Sequence, residues 1–274
     1  MRLNQIQARL LQVSETPVLD AQVILAHILG KPRSWVLAHP EFFLTPEQAV
    51  ELERALARLE AGEPLPYVLG HWEFFGMDFS VSRQVLIPRP ETELMVEQAL
   101  TWLRRHPARR AVLDVGTGSG CIAQSLAIKT PDLHVLASDI SPGALEQAQA
   151  NLHRYALQGR VQFILADLFP EVGGSFDLIC ANLPYIPSAE LARLKVGRWE
   201  PQLALDGGPD GLRLVRRLLR QAPSHLAPGG LLLSEIEANQ GQAVLDLARD
   251  AFPAAEIALL PDLAGKDRLL CIQS

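Results

Sequence analysis

Residues 111–120 read Ala111-Val112-Leu113-Asp114-Val115-Gly116-Thr117-Gly118-Ser119-Gly120, and they decide the fold. The first five form a short apolar run broken by one carboxylate, as in a strand buried in a parallel sheet. The glycines that follow let the backbone pass close to a ligand, and the helix expected over residues 121–127 turns its free N–H groups toward it. Strand, glycine-rich turn and helix in that order mark the first unit of a sheet that binds a nucleotide-type cofactor.

The pattern repeats downstream. Leu133-His134-Val135-Leu136-Ala137-Ser138-Asp139 is a second strand whose terminal carboxylate is placed to bind ribose hydroxyls. Ile164-Leu165-Ala166-Asp167 ends a third strand with another carboxylate, and Phe176-Asp177-Leu178-Ile179-Cys180-Ala181 is a fourth, apolar almost throughout. A helix over 212–226, a strand over 230–236, a helix over 240–252 and strands over 256–260 and 268–272 complete a seven-stranded doubly wound α/β sheet. Residues 186–211 are too long for an ordinary connection, and they are expected to form a substrate-facing insertion.

Two cofactors use a turn and acidic strand end of this kind. A nicotinamide dinucleotide takes Gly-x-Gly-x-x-Gly, whereas this loop is Gly-x-Gly-x-Gly with Asp114 two residues before it. S-adenosylmethionine has no pyrophosphate that needs a helix N-terminus, and its sulfonium charge is favoured near carboxylates such as Asp114. The spacing favours S-adenosylmethionine.

The fourth strand runs into Asn182-Leu183-Pro184-Tyr185. The Asn182 side-chain oxygen and the Leu183 carbonyl can each accept one hydrogen of an NH2 group, Pro184 stiffens the turn, and Tyr185 offers a flat wall. Such a loop holds a planar amide or amino group. In isolation the same four residues are ordinary turn chemistry beside a core aromatic; the cofactor turn upstream gives them their significance.

With 48% hydrophobic and 20% charged residues over 274 positions, the chain has ample material for one large α/β domain and a smaller one. No apolar run is long enough to span a bilayer and residues 1–7 lack a signal-peptide core, so a cytoplasmic location is expected. Cys121, Cys180 and Cys271 are widely spaced in apolar surroundings, the pattern of small core residues, neither disulfide framework nor metal site. A net charge of −6 has the wrong sign for a protein that binds by neutralising phosphates, and no direct nucleic-acid partner is expected.

Ahead of the sheet, residues 4–59 carry helical periodicity, with Gly30 placed to end one helix and Thr45 to cap another. Residues 62–67 read as a loop, and Trp72, Phe74, Phe75, Phe79 and Val81 with Gly70 and Gly76 suggest a short hairpin. The prolines and carboxylates of Leu86-Ile87-Pro88-Arg89-Pro90-Glu91-Thr92-Glu93 have the form of a helix start. The expected organisation is a helical domain over 1–60, a β-hairpin linker over 61–86 and a catalytic domain over 87–274.

Gly62-Glu63-Pro64, Tyr67, residues 86–93, the glycine loop, Asn182 to Tyr185, Glu200-Pro201 and Ala204-Leu205-Asp206-Gly207-Gly208-Pro209-Asp210-Gly211-Leu212 together resemble the HemK/PrmC family of peptide chain release factor glutamine N(5)-methyltransferases. The resemblance spans nearly the whole chain, and it is most specific at residues 87–93 and 204–212. It implies a seven-stranded S-adenosylmethionine-dependent methyltransferase (Rossmann-like) sheet with an antiparallel last strand and a small N-terminal helical domain that helps recognise the substrate. It also implies an enzyme of translation termination that methylates the glutamine of the Gly-Gly-Gln motif in class 1 release factors. Carried onto this sequence, Gly116, Thr117, Gly118, Ser119, Gly120, Asp139, Asp167, Leu168 and Asn182 line the cofactor, and Asn182, Leu183, Pro184 and Tyr185 hold the glutamine; no metal is implied.

Two positions depart from the family pattern. Leu183 stands where it usually has Pro, in the form seen in ribosomal RNA adenine dimethylases, and Trp199 stands where it favours Phe. The alternatives are an adenine amino methyltransferase acting on ribosomal RNA or DNA, which the Asn-Leu-Pro-Tyr form keeps open, a nicotinamide-dependent oxidoreductase, which needs the other glycine spacing, and a non-catalytic binding module.

Overall fold

The computed structural model describes residues 3–171 and 173–274. Met1 and Arg2, at the head of the expected 1–60 domain, lie outside the described residues, as does Val172. The chain divides into two compact units, Met1–His71 and Trp72–Ser274.

The first unit is helical: α1 (Leu3–Leu10), α2 (Pro17–Leu29), α3 (Arg33–Ala38), α4 (Pro46–Glu60) and α5 (Leu65–Leu69). Gly30 ends α2 in the left-handed region at φ 59°, and Thr45 starts α4 with a capping box closed by Gln48. Ile6, Leu10, Ile24, Leu25, Leu52 and Leu56 are fully or almost fully buried and form its core. The stretch expected as a loop over 62–67 instead runs into α5. Pro64 sits at the N-cap and Pro66 in the first turn, where a missing N–H costs the helix nothing. Arg58 fixes this turn with two bonds to the Glu63 carboxylate at 2.8 and 3.0 Å and donates to the Tyr67 and Val68 carbonyls.

The unit boundary falls within β1 (His71–Phe74), which pairs with β2 (Met77–Ser80) through a turn in which Phe75 and Gly76 have φ of 54° and 72°. The second unit continues with α6 (Glu93–Arg105), β3 (Ala111–Val115), α7 (Cys121–Lys129), β4 (His134–Asp139), α8 (Pro142–Arg154), β5 (Val161–Leu165) and β6 (Phe176–Ala181). Next come β7 (Ile186–Pro187), α9 (Ser188–Leu191), β8 (Asp206–Gly208), α10 (Arg213–Gln221), β9 (Leu226–Glu235), α11 (Gly241–Ala251), β10 (Glu256–Pro261) and β11 (Asp267–Gln273).

Seven strands form the main sheet in the order β10-β11-β9-β6-β3-β4-β5. β3, β4, β5, β6 and β9 run parallel, and β11 is antiparallel to both β9 and β10, as the resemblance implied. Apolar clusters cover both faces, one including Leu103, Val112, Leu126, Leu178 and Leu233, the other Leu113, Ile179, Leu218, Leu232 and Ile272. Burial on both sides explains why these strands read as continuous apolar runs. β3 lies mid-sheet; the chain travels outward through β4 and β5, then returns to β6 on the other side of β3. Reversal there opens a crevice beyond the carboxyl ends of β3 and β6.

Some boundaries differ from expectation. α10 ends at Gln221 because a 3-10 turn containing Pro223 follows it, and β9 begins at Leu226, four residues before the expected Gly230. Residues 186–211 are organised by the parallel pairing of β7 with β8. Among the described residues, no helix is long and apolar enough to cross a membrane, and no cluster of His, Cys, Asp or Glu could hold a metal ion.

Candidate active site

A cleft of about 490 Å³ opens at the crevice. Gly116, Thr117, Gly118, Ser119, Asp139, Asp167, Leu168, Asn182, Leu183 and Pro184 all line it. Gly120 and Tyr185 do not. Gly120 starts α7 at φ 78°, where a Cβ would collide with Gln124 Nε2, so it serves helix packing.

The glycine loop is tied down by local bonds. Gly116 and Thr117 donate N–H groups to the Ser138 carbonyl at 2.8 and 2.9 Å. Gly118 donates to Asp139 Oδ2, and Ser141 to Asp139 Oδ1, each at 2.9 Å. Asp139 thus locks the two loops together while its carboxylate borders the cleft; burial raises its pKa against the pull of these N–H donors. Leu168 is held at φ 69°, a costly conformation for a leucine, and its carbonyl accepts the Ser138 hydroxyl at 2.7 Å.

Asp114 differs from the sequence expectation. It is fully buried beneath the loop and does not line the cleft. Its Oδ2 accepts the Thr117 hydroxyl at 2.6 Å and the Ala123 N–H at 3.2 Å, bracing both ends of the turn, while Oδ1 has no partner. Burial pushes its carboxyl up to about 7. A group so placed braces the loop from beneath and does not face the cleft.

At the end of β6, Asn182 is oriented by its neighbours. Its Nδ2 donates to Thr92 Oγ1 at 3.0 Å and to Glu235 Oε2 at 3.1 Å. Both amide hydrogens are committed, and among the described residues nothing donates to Oδ1 or to the Leu183 carbonyl. The Tyr185 hydroxyl donates to Glu235 Oε1 at 3.2 Å, and Tyr185 is half-buried. The Leu183 side chain is 4% exposed and turned into the core, and a Cβ on Gly116 would stand 3.0 Å from its Cδ2. Glycine at 116, with φ 72°, allows the two loops to approach this closely.

The most family-specific segments acquire physical reasons. Gly211, at φ 76°, lies so near the Tyr185 backbone that a Cβ would collide with its carbonyl oxygen, and Gln240 Nε2 donates to that same oxygen at 3.0 Å. Glu200, 5% exposed, accepts from the Ile87 N–H at 3.0 Å and from Arg89 at 2.5 Å, joining the 200–206 wall to the 84–92 wall. Trp199 beside it carries the Arg83 guanidinium 4.3 Å from its ring centroid.

Thr92, Glu200 and Glu235 join the site only in the structure. Thr92 lies inside a stretch that reads as a helix start, and it is one, since α6 begins at Glu93. Glu235 carries the signal that identified Asp139 and Asp167, a carboxylate at the carboxyl end of an apolar strand.

The comparisons agree with this architecture. Residues 2–70 match the PrmC N-terminal domain and residues 92–195 the methyltransferase small domain. A methyltransferase from Pyrococcus furiosus shares the fold, with a TM-score of 0.52 at 18% identity over 84% of this chain and 98% of that one. The release factor glutamine methyltransferase of Cereibacter sphaeroides is 43% identical over 92% of this chain and 89% of its own length. That of Moorella thermoacetica is 47% identical over 93% of this chain and 90% of its own. Identity at this level across almost the full length of both proteins means that the chain belongs to the release factor glutamine methyltransferase family.

Proposed function

We infer that this chain transfers a methyl group from S-adenosylmethionine to the side-chain amide nitrogen of the glutamine in the Gly-Gly-Gln motif of bacterial class 1 release factors. With the family shown, an adenine amino group and a nicotinamide cofactor drop out as rivals. The observation that carries the reading is the polarity of Asn182: its NH2 is held inside the protein, which leaves Oδ1 as an acceptor for another group's NH2.

The cleft suits the cofactor. The Gly118 Cβ position has nothing within 4 Å, so the loop backbone is open to a ligand there. Asp139 offers carboxylate oxygens for ribose hydroxyls, and Ile140, 48% exposed at the cleft, offers an apolar surface for a base. When bound, S-adenosylmethionine supplies an electrophilic methyl on a sulfonium.

The chain's residues must overcome the weak nucleophilicity of an amide nitrogen, whose lone pair is delocalised. Asn182 Oδ1 and the Leu183 carbonyl accept its two hydrogens and fix the lone pair toward the methyl. As the new bond forms, the nitrogen becomes cationic and its N–H strongly acidic, so these acceptors bind the transition state more tightly than the ground state. One of the two N–H protons leaves late, to an acceptor or to water, while the other stays on the product amide, and no strong base is needed. Pro184 stiffens the turn, and the Tyr185 hydroxyl anchors its end on Glu235.

Residues 1–60 we assign to release-factor recognition, 61–86 to a linker and 87–274 to catalysis; the PrmC N-terminal domain match over 2–70 marks a separate unit at the head of the chain and extends through α5 into the stretch assigned to the linker. A partner that acts in translation termination puts the reaction in the cytoplasm. The test is mass spectrometry of an unmodified release factor incubated with this protein and S-adenosylmethionine. One methyl gained on the Gly-Gly-Gln glutamine is the expected result, and methylation of ribosomal RNA in its place would overturn the reading.

A further inference from the structure

We propose that Glu235 is the positioning residue of this site: with Thr92 it takes both Nδ2 hydrogens of Asn182, and so dictates that the amide presents its oxygen, not its nitrogen, to the substrate. The proposal rests on the methyl-transfer reading above.

An asparagine amide is nearly symmetric in shape, and a half-turn of its terminal torsion exchanges acceptor for donor. Facing a substrate NH2, the wrong orientation sets donor against donor. The structure forbids that half-turn by hydrogen bonding alone. Glu235 Oε2 accepts the Thr92 hydroxyl at 2.7 Å, so the Thr92 hydrogen is spent and its oxygen remains an acceptor. Asn182 therefore meets two acceptors, Thr92 Oγ1 at 3.0 Å and Glu235 Oε2 at 3.1 Å, and only its NH2 can answer both. A flipped amide would place three oxygens together. The second carboxylate oxygen takes the Tyr185 hydroxyl at 3.2 Å, which anchors the far end of the same loop.

Glu235 is 2% exposed, so these bonds act without competition from water. The arrangement requires an acceptor-only carboxylate. A protonated Glu235, or a glutamine in its place, brings a donor to the position and permits the flip. The groups bearing on its charge are Thr92 and Glu91 from the segment before α6, Tyr185 after β6 and Arg268 on β11. Burial raises its pKa, opposed by the two hydroxyls and Arg268 and assisted by Glu91. The active form is then lost as pH falls through a value above the ordinary glutamate range.

The decisive variant is Glu235→Gln, which preserves shape and removes only the fixed polarity. We expect kcat to fall roughly 100-fold, the scale of losing one preorganised hydrogen-bonding group, with S-adenosylmethionine affinity by calorimetry kept within about twofold. The acidic limb of the wild-type kcat profile should vanish in the variant. Adding Asn182→Asp should restore roughly tenfold or more over Glu235→Gln alone, because a carboxylate at 182 accepts from the introduced amide at 235 on one oxygen and presents the other to the substrate. A Glu235→Gln enzyme within about threefold of wild type, or a double variant no better than the single one, would overturn the proposal. Absence of transfer by the wild-type enzyme would instead defeat the methyl-transfer reading itself.

Discussion

The loop after β3 and the loop after β6 line one cleft, but they are held by different kinds of bond. The first is fixed mainly by backbone N–H groups and carboxylates at shorter range: Thr117 to Asp114 spans 3 residues, Gly118 to Asp139 spans 21, and the Asn151 amide reaches the Ser119 carbonyl across 32. The second is fixed by side chains far apart in sequence: Asn182 lies 53 residues from Glu235 and 90 from Thr92, and Thr92 lies 143 from Glu235. A glycine turn needs only a place for a ligand to rest, and local geometry provides it. An acceptor aimed at one nitrogen needs orientation, and side chains drawn from three elements provide that.

Separate construction implies separable failure. Asn182→Ala should lower kcat by roughly 10³-fold while leaving S-adenosylmethionine affinity much less affected, since it removes an acceptor whose bond strengthens in the transition state. Single-turnover methylation beside a cofactor titration checks this, and a largely intact rate would merge the two halves of the cleft. Asp139→Ala strikes the other half. Loss of a charged acceptor that also ties Gly118 to Ser141 should weaken the cofactor about 10- to 100-fold, with the rate at saturating cofactor much less changed.

The same division governs what the sequence reveals. The glycine loop, Asp139 and the succession of strands and helices are legible because each signal lies within a few residues, as periodicity or as a carboxylate closing an apolar run. Asn182 is legible as a strand-end acceptor, but its orientation is not. Nothing near Thr92 distinguishes a helix start from a ligand of Asn182, and here it is both. Gly211 could be matched to a family segment, yet its reason, a Tyr185 carbonyl lying where a Cβ would have to stand, exists only once the chain is folded. Asp114 is half legible for a similar cause: its spacing to the loop can be read locally, and its burial beneath the loop, which makes it a brace, is a tertiary fact.

Leu183 joins the two regions, packing beside Gly116 while its backbone serves the substrate side. Leu183→Ala should therefore cost about 2 to 4 kcal/mol of stability by denaturant unfolding, with a smaller loss of turnover than Asn182→Ala. A variant of undiminished stability but lost activity would mean that the side chain itself touches the substrate.

The smallest effect belongs to Asp114 and depends on pH. Its folded carboxyl lies at about 7 against about 4 in an unfolded chain, so between those values the folded state holds more protons. Stability contributed at this position is therefore greatest in acid, falls as pH rises through the window, and reaches its minimum above about 7. Asp114→Asn does not titrate. It keeps an oxygen for Thr117 and Ala123 and sets an unpaired neutral N–H where an unpaired charged oxygen stood, which is the lesser desolvation cost. Its Tm relative to the wild type should rise by about 3 °C or more from pH 5 to pH 8. A difference that stays constant over this range would mean that the Asp114 carboxylate keeps an ordinary pKa, and so that the loop after β3 is hydrated from beneath.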